Sequence, residues 1–546
     1  MSDSFGKHLY KFVCVLVILI TAGIRIHLAD IPFERDEGEY AYAGQMITHG
    51  IPPYQEVYNM KFPGVYFMFA LSFKLFGEGV FAPRYMTLLL QLFGAGFIFL
   101  LARRAINPLA GWLSAAVFML FNLTLALQGT QSNAEHFLVA FLIPSLYFLF
   151  RGVEEDSVAD IFVSGILIAI ACLMKQHAFI FTFVGLLWIL YIQRLKSFRY
   201  LLAYAVGGII PVVLMFAYLW HAGVWDRFYF LTIQYAREYV GVVPFDSGIH
   251  QINPVHQGSS NLSPLLVWFI FASLSGLFIP GGHSKTRVFL LILLLASALS
   301  VMPGFYFRRH YFLMTIPAIS LLFAYTTFRL SDFFKMQVRF LILSIYIVGS
   351  AGFFFYYQRD CFFFLAPENV TERLYHGTPF TVSGKIASFI KAHTGPNDRI
   401  CMIGAEPQLF FLSQRRSASG YIYIYPLLEN QKYAGMMTDE FIAQSEHYKP
   451  AILVYSSKSV FEDGYNHDSR LYKWFDTYKK QYKLAAICTP ISESDLRMAA
   501  FDTIAPMDTF AETVPQMRVY ERIDKNKNAI LPLFRRQYNH PPIVPK

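Results

Sequence analysis

The feature of this chain that most limits its fold is a series of uncharged apolar stretches, many long enough to cross a lipid bilayer. A helix needs roughly 20 residues to span the hydrocarbon core. About eleven stretches fit this requirement, with approximate bounds 9–28, 81–102, 109–127, 136–150, 158–174, 177–193, 200–220, 263–280, 288–303, 310–328 and 338–357. The sequence therefore predicts a polytopic α-helical membrane protein with about eleven transmembrane helices.

Composition supports this class and excludes others. Charged residues make up 15% of the chain, whereas soluble domains carry about 25%. The net charge of +9 is spread over loops and the C-terminal tail. Because no single region is strongly basic, we expect membrane lipids around the protein and no nucleic-acid partner.

Lys and Arg are concentrated in alternate short loops, which sets the predicted orientation. With the N-terminus in the cytoplasm, the basic clusters at 103–104, 194–199 and 285–287 all lie inside. An odd number of spans then places everything after Tyr357 outside. The predicted location is the cytoplasmic (inner) membrane, with the active site and the C-terminal domain on the periplasmic or extracellular side.

The chain divides into a transmembrane domain over 1–360, with a first outside loop at 29–80, and a small extracytoplasmic α/β domain over 375–522. Within the loop, 64–76 is apolar but too short to span and predicts an interfacial helix. In the C-terminal domain, a helix at 383–393 accompanies strand candidates at 399–404, 451–455, 483–488 and 517–521. The basic tail, 523–546, either rests on anionic headgroups or is solvated.

The first outside loop holds two adjacent carboxylates, Asp36 and Glu37, directly after the first span. Carboxylates at the membrane surface can activate a hydroxyl or an amine by general-base catalysis. The structural alternative is that Asp36 caps a helix over 37–47, with Glu39 completing a capping box. The two interpretations are compatible, because a cap holds its carboxylate in place.

The order of motifs after this pair resembles a known family. Lys61-Phe-Pro-Gly64 comes some 25 residues later, followed by the short apolar run and by Gly77-Glu-Gly-Val-Phe-Ala-Pro-Arg84 at the start of the second span. This order is similar to that of the GT-C membrane glycosyltransferases, in the branch of the protein O-mannosyltransferases and aminoarabinose-lipid A transferases (family 39 and its bacterial relatives). The resemblance is best over the first 200 residues and extends more loosely to Tyr357 and the C-terminal domain.

The resemblance implies an inverting transfer of a sugar, a hexose or a pentose, from a polyprenyl-phosphate-linked donor to an acceptor at the outer membrane face. The acceptor is a glycan, a lipid or a protein. In that family the Asp of the pair is a base or an acceptor-orienting carboxylate, which here is Asp36, with Glu37 beside it as a second site carboxylate. The Lys before the Pro and the Arg opening the second span contact the donor phosphate, which implies that role for Lys61 and Arg84.

Other cations lie on the predicted outside at membrane depth, where Lys and Arg are otherwise scarce: Lys175 and the run Arg308-Arg309-His310. A lipid-phosphate leaving group needs positive charge to stabilise its developing negative charge. These residues are therefore further candidates for binding the donor phosphate. The alternative for each is that it extends toward the lipid headgroups.

Glu135 opens the fourth span from the outside, where an unpaired carboxylate is costly. It could position the acceptor, pair with a basic residue, or join Asp36 around a divalent cation. Metal sites occur in some GT-C branches and not generally in this one, and no Cys/His pair has zinc spacing. We therefore assign no metal ligands and expect no required cofactor, with a divalent cation as the alternative.

Two other functions use some of the same features. A transporter or flippase of a lipid-linked saccharide would bind the phosphate without chemistry, but such proteins place charges near the bilayer midplane. Here the charges lie at the outer edge, which favours the enzyme. A membrane-anchored assembly protein would act through its C-terminal domain, which carries no recognisable catalytic motif.

Overall fold

The computed structural model describes residues 3–247, 273–279, 284–334, 336–375, 378–456, 469–491, 495–500 and 517–524. The basic tail beyond 524 and most of the predicted span at 263–280 lie outside these residues. Every other predicted span contains a helix, which confirms the polytopic helical fold. The membrane-domain helices are Asp3–His27, Phe81–Ala105, Ala110–Asn122, Ala134–Glu154, Val158–Met174, Phe179–Gln193, Ser197–His221, Ser284–Ser300, Ile316–Ser331 and Met336–Tyr357.

Seven helical segments of the described residues are long and apolar enough to cross a membrane, judged by length and composition. The helices Ala110–Asn122 and Val158–Met174 are apolar but shorter. The seven segments are Ser4–His27, Phe81–Ala105, Ala134–Glu154, Gln176–Gln193, Ser197–His221, Arg309–Ser331 and Val338–Tyr357.

Two spans approach each other closely through glycine. A Cβ at Gly165 would lie 2.2 Å from the carbonyl oxygen of Tyr204, and one at Gly207 would lie 2.2 Å from that of Phe162. Small residues at such crossings let helix backbones touch. This contact fixes the helix Val158–Met174, whose C-terminal end carries Lys175.

The first loop folds into two helices, named here the first loop helix (Arg35–Thr48) and the second loop helix (Gly64–Phe76). They cross where Gly44 meets Phe69, since a Cβ on Gly44 would lie 2.8 Å from that of Phe69. The predicted cap was wrong. Glu34, and not Asp36, caps the first loop helix by accepting a hydrogen bond from the backbone N–H of Glu37 at 2.9 Å, and Glu39 closes no capping box.

The C-terminal domain contains the predicted mixture of helices and strands. Its six-stranded sheet has the order β2-β1-β3-β6-β4-β5. Strand β1 runs parallel to β2 and β3, whereas β6 is antiparallel to β3 and β4, and β5 is antiparallel to β4. The strands are β1 Arg399–Ile403, β2 Arg416–Ser417, β3 Ile452–Ser456, β4 Tyr482–Ile491, β5 Asp495–Ala500 and β6 Met517–Arg522.

Two short helices, Trp225–Tyr229 and Ala236–Val240, follow the span Ser197–His221. The helices after the last described span are Pro367–Leu374, Ser383–His393, Gln408–Ser413, Tyr425–Leu428, Ala434–Tyr448 and Arg470–Tyr478. Cys401 on β1 and Cys488 on β4 are both free. They form no disulfide, because β3 and β6 lie between their strands.

The C-terminal domain sits directly on the first loop. A Cβ on Gly38 would lie 2.6 Å from the backbone nitrogen of Gln408. The backbone N–H of Tyr58 donates to the carbonyl of Gly420 at 2.8 Å. The carboxylate of Glu56 pairs with Arg399 at 2.8 Å and also with Arg416. The C-terminal domain therefore covers the end of the helical bundle where the first loop lies.

Candidate functional site

The two neighbouring carboxylates of the first loop point in different directions. Glu37 is fully buried and receives hydrogen bonds from Arg84 at 2.7 Å and from the backbone N–H of Ser132 at 2.7 Å. Arg84 is 3% exposed and also donates to the carbonyl oxygens of Ala29 and Ile31. This pair ties the second span to the loop, and phosphate binding by Arg84 stays a prediction.

Asp36 faces the other side of the first loop helix, toward a cluster of charged groups. Its Oδ1 pairs with the Lys61 ammonium at 3.0 Å, and Lys61 also pairs with Glu39 Oε2 at 2.9 Å. Glu39 is fully buried, whereas the Asp36 side chain is 27% exposed. Lys61 thus bridges an accessible carboxylate and a buried one.

Three further side chains of this cluster, Lys175, Glu135 and His310, come from the membrane domain. Lys175 pairs with Glu135, and its ammonium also lies 4.0 Å from the centre of the Tyr311 ring. His310 Nε2 lies 3.8 Å from Asp36 Oδ2 and 3.8 Å from Glu135 Oε1. A hydrogen bond of 2.7 Å joins its Nδ1 to Gln128 Oε1, and this contact turns Nε2 toward the two carboxylates. His310 therefore joins the first loop to the spans.

We name these six side chains, Asp36, Glu39, Lys61, Glu135, Lys175 and His310, the carboxylate–lysine cluster. Burial alone would raise the pKa of Asp36, but the charges of Lys61 and His310 outweigh it and hold that pKa well below its usual range. Burial likewise raises the pKa of Glu39, and Lys61 offsets only part of that rise. The pKa of Lys61 is well above its usual value, because the two carboxylates outweigh its burial. Asp36 is therefore ionised at neutral pH.

The segment that carries His310 has an unusual backbone. Gly304, Phe305 and Phe307 have φ of 74°, 54° and 42°. Positive φ is uncommon for residues with a side chain and often marks a functional segment. The segment leads directly into the span that begins at Arg309.

The three basic residues of this segment, Arg308, Arg309 and His310, have different surroundings. His310 enters the carboxylate–lysine cluster. The exposed guanidinium of Arg308 lies 5.4 Å over the Tyr306 ring and close enough to Asp36 to act on it electrostatically. Arg309 is half-buried and lies near Tyr375. Of the predicted site residues, the structure thus brings Asp36, Lys61, Glu135, Lys175 and His310 together in the cluster and places Arg308 near Asp36. Glu37, Arg84 and Arg309 lie outside the cluster.

Sequence reasoning missed two polar partners of the site. Glu39 was interpreted only as part of a cap, although its spacing of three residues from Asp36 places both on one helix face. Tyr423 gave no signal, because it reaches Glu39 from the C-terminal domain, with its hydroxyl 2.9 Å from Glu39 Oε2.

Part of the chain matches a known protein family. Residues 60–221 match the family model described as dolichyl-phosphate-mannose-protein mannosyltransferase. This region contains Lys61, Arg84, Glu135 and Lys175. No curated protein sequence gives a significant match to the chain.

Solved structures share the fold at low sequence identity. ArnT from Cupriavidus metallidurans bound to undecaprenyl phosphate is 15% identical, with a TM-score of 0.52 over 82% of this chain and 92% of that one. Its apo form is 16% identical, with a TM-score of 0.51 over 81% of this chain and 92% of that one.

The archaeal oligosaccharyltransferase AglB from Archaeoglobus fulgidus, in complex with an inhibitory peptide and a dolichol-phosphate, has 12% identity. Its TM-score is 0.51 over 92% of this chain and 75% of that one. Residues 60–221 are thus similar to the protein mannosyltransferase family, and the chain as a whole shares its fold with ArnT and AglB.

Proposed function

We propose that this protein is an inverting glycosyltransferase that moves a sugar from a polyprenyl-phosphate-linked donor to a hydroxyl or amine acceptor at the outer face of the cytoplasmic membrane. The observation that carries the proposal is the contact of Asp36, a partly exposed carboxylate, with Lys61 in a cluster that also holds the Lys175 ammonium and the His310 imidazole. The matched family and the lipid phosphates named with ArnT and AglB support a lipid-linked donor.

The reaction is a single displacement at the anomeric carbon. The acceptor oxygen or nitrogen forms a bond to that carbon, while the bond from the carbon to the phosphate oxygen breaks. Asp36 orients the acceptor and takes its proton, and the electron pair of the broken bond leaves on the lipid phosphate. Attack from the face opposite the phosphate inverts the anomeric configuration.

The cations of the cluster stabilise the leaving phosphate. Lys61 and Lys175 are held at fixed positions by Glu39 and Glu135, so little reorganisation is needed when negative charge develops. When the phosphate attracts Lys61, Asp36 loses part of the charge that keeps its pKa low and becomes a stronger base. Donor binding would therefore prepare the carboxylate for proton transfer.

We expect the reaction to need no divalent cation. A divalent cation at this site would have to balance the carboxylates and bind the phosphate. Here Lys61 pairs with Asp36 and Glu39, and Lys175 pairs with Glu135. The two ammonium groups already occupy the positions where a cation would balance those carboxylates. Activity should therefore survive chelation by EDTA.

Sugar transfer by purified protein tests the proposal. The protein in lipid is given a panel of radiolabelled polyprenyl-phosphate sugars and a crude membrane acceptor extract. We expect wild type to label an acceptor with one sugar and Asp36→Asn to lose transfer by about a hundredfold or more. Asp30→Asn is the matched control, since Asp30 is an exposed carboxylate of the same loop.

Two outcomes would oppose the proposal. Donor binding without transfer, equal in wild type and Asp36→Asn, would indicate a transporter or flippase of the lipid-linked saccharide. Transfer that Asp36→Asn retains in full would leave the enzyme but remove Asp36 from its chemistry.

A further inference from the structure

The C-terminal domain places one side chain against the carboxylate–lysine cluster. Tyr423 lies between β2 and the short helix Tyr425–Leu428. Its hydroxyl donates to Glu39 Oε2 at 2.9 Å and accepts a hydrogen bond from the Asn59 side chain. Because a tyrosine hydroxyl has one hydrogen to donate, its donor capacity is fully used at Glu39.

Glu39 holds Lys61 in the position that the proposed reaction needs. The Glu39 carboxylate is fully buried and receives three hydrogen bonds, from Tyr66 at 2.7 Å on Oε1 and from Lys61 and Tyr423, both at 2.9 Å, on Oε2. The same Lys61 ammonium pairs with Asp36 at 3.0 Å. Tyr423 and Asp36 are thus linked through two intervening side chains.

Docking of the C-terminal domain fixes Tyr423 at this position. The backbone at Gly420 lies so close to the first loop that a Cβ there would be 2.4 Å from the Tyr58 ring. The carbonyl of Gly420 accepts from the Tyr58 N–H at 2.8 Å, and the Ser417 N–H donates to the Tyr42 hydroxyl at 2.8 Å. The strand-to-helix segment that ends in Tyr423 is therefore held against the first loop.

We propose that Tyr423 is a positioning residue of the transfer reaction, which holds Glu39 so that Glu39 and Asp36 share the Lys61 ammonium. The C-terminal domain then completes the active centre and is more than a scaffold. This inference rests on the proposed glycosyltransferase function.

The consequence of removing the hydroxyl follows from the surroundings of Glu39. Burial raises the pKa of Glu39, and hydrogen bonds to the ionised form oppose the rise. Losing the bond from Tyr423 raises that pKa further, so Glu39 becomes protonated at a higher pH and releases Lys61. The titratable groups that face Glu39 are Asp36, Lys61, Tyr40, Tyr54, Tyr66 and Tyr423.

The test compares Tyr423→Phe with Tyr421→Phe in the full-length protein, measuring kcat and KM for the donor sugar across pH 5 to 8. Tyr421 is the matched control, since its hydroxyl donates at 2.8 Å to another carboxylate, that of Glu440, outside the cluster. We expect Tyr423→Phe to lower kcat about tenfold and to move the acid limb of activity up by about one pH unit. Tyr421→Phe should stay within about twofold of wild type.

Glu39→Gln provides a second and independent variant. If Tyr423 acts through Glu39, Tyr423→Phe should add little to the loss already caused by Glu39→Gln. A Tyr423→Phe profile equal to that of wild type, or additive losses in the double variant, would overturn the inference. These results would leave the proposed function intact, whereas an absence of transfer by wild type would contradict that function itself.

Discussion

Asp36 and Glu37 are adjacent in sequence, yet the first loop helix gives them different surroundings. One residue along a helix rotates a side chain by about 100°, which points Asp36 toward Lys61 and Glu37 toward Arg84. Asp36 keeps 27% of its side chain exposed and can meet a substrate. Glu37 has no exposed surface. The motif of paired carboxylates therefore combines one accessible group with one that holds the loop to the second span.

The Arg84–Glu37 pair yields a prediction about stability. Arg84→Met leaves Glu37 buried without its charged partner, so we expect a loss of about 3 kcal/mol or more in the free energy of unfolding. Arg104→Met is the control, because the Arg104–Glu154 pair is partly exposed and should contribute less than about 1 kcal/mol. Thermal unfolding in detergent measures both. Equal, small changes in the two variants would show that the buried pair is not structural.

Glu34 yields a prediction about pH. Burial, together with the negative charges of Asp36 and Glu37, raises the pKa of Glu34 from 4.5 to about 8. The folded protein then keeps a proton that the unfolded chain releases, so this residue makes stability fall as pH rises between about 4.5 and 8. Glu34→Gln keeps an oxygen that can accept from the Glu37 N–H but cannot ionise.

The difference in melting temperature between Glu34→Gln and wild type, followed from pH 5 to 9, measures this effect. We expect the variant to gain relative to wild type as pH rises through that window and the difference to level off above it. Parallel pH curves for the two proteins would show that Glu34 titrates normally in the folded state.

Sequence reasoning found most of the clustered side chains for a physical reason. Cations and carboxylates are costly at membrane depth, so Lys61, Glu135 and Lys175 stand out in an apolar chain. Glu34 was missed as the cap, because the sequence offered Asp36 as an equally good cap two residues later. The partner of Arg84 was also not predictable, since an arginine on a span can face a substrate or a buried carboxylate with the same local sequence.

At the scale of elements, the contact between the first loop helix and the C-terminal domain depends on a glycine. A Cβ at Gly38 would lie 2.6 to 2.8 Å from three atoms of Gln408, two of them backbone. Gly38→Ala should therefore separate the two elements or shift them, at a cost of about 1–3 kcal/mol. Gly435→Ala is the control, because nothing lies within 4 Å of its added Cβ and it sits in a helix.

Limited proteolysis and melting temperature report on this contact. We expect Gly38→Ala to expose the junction to protease and to lower the melting temperature. Gly435→Ala should leave the melting temperature unchanged or raise it slightly. If Gly38→Ala behaves like Gly435→Ala, then the close contact does not hold the domain in place.

Hydropathy predicts helices well in this chain, because each span must satisfy its backbone hydrogen bonds internally. Predicted and observed bounds coincide for Val158–Met174 and differ at one or both ends for the other described spans. Four of the six described strands of the C-terminal domain were also predicted, whereas β2 and β5 were not. Their docking on the first loop was not, because Tyr423 and Glu39 are 384 residues apart and no local spacing encodes such a contact.

At the scale of the whole molecule, three parts of the chain converge on one end of the helical bundle. The first loop supplies Asp36 and Lys61, and the C-terminal domain supplies Tyr423. The spans supply Glu135, Lys175 and His310. A further ion pair joins the C-terminal domain to the segment after the span Ser197–His221, between Glu440 and Arg227 at 2.6 Å. The site is thus enclosed by both domains of the protein.

In the proposed reaction, the carbon–oxygen bond between the sugar and the lipid phosphate is broken with the help of Asp36. The most direct measurement uses the protein in lipid vesicles with a donor labelled in both sugar and lipid, and counts free polyprenyl phosphate and glycosylated acceptor together. We expect wild type to release one polyprenyl phosphate for each sugar transferred and Asp36→Asn to do so about a hundredfold more slowly or not at all. Passage of intact donor across the bilayer at equal rates in both proteins, with no free polyprenyl phosphate, would contradict this reaction.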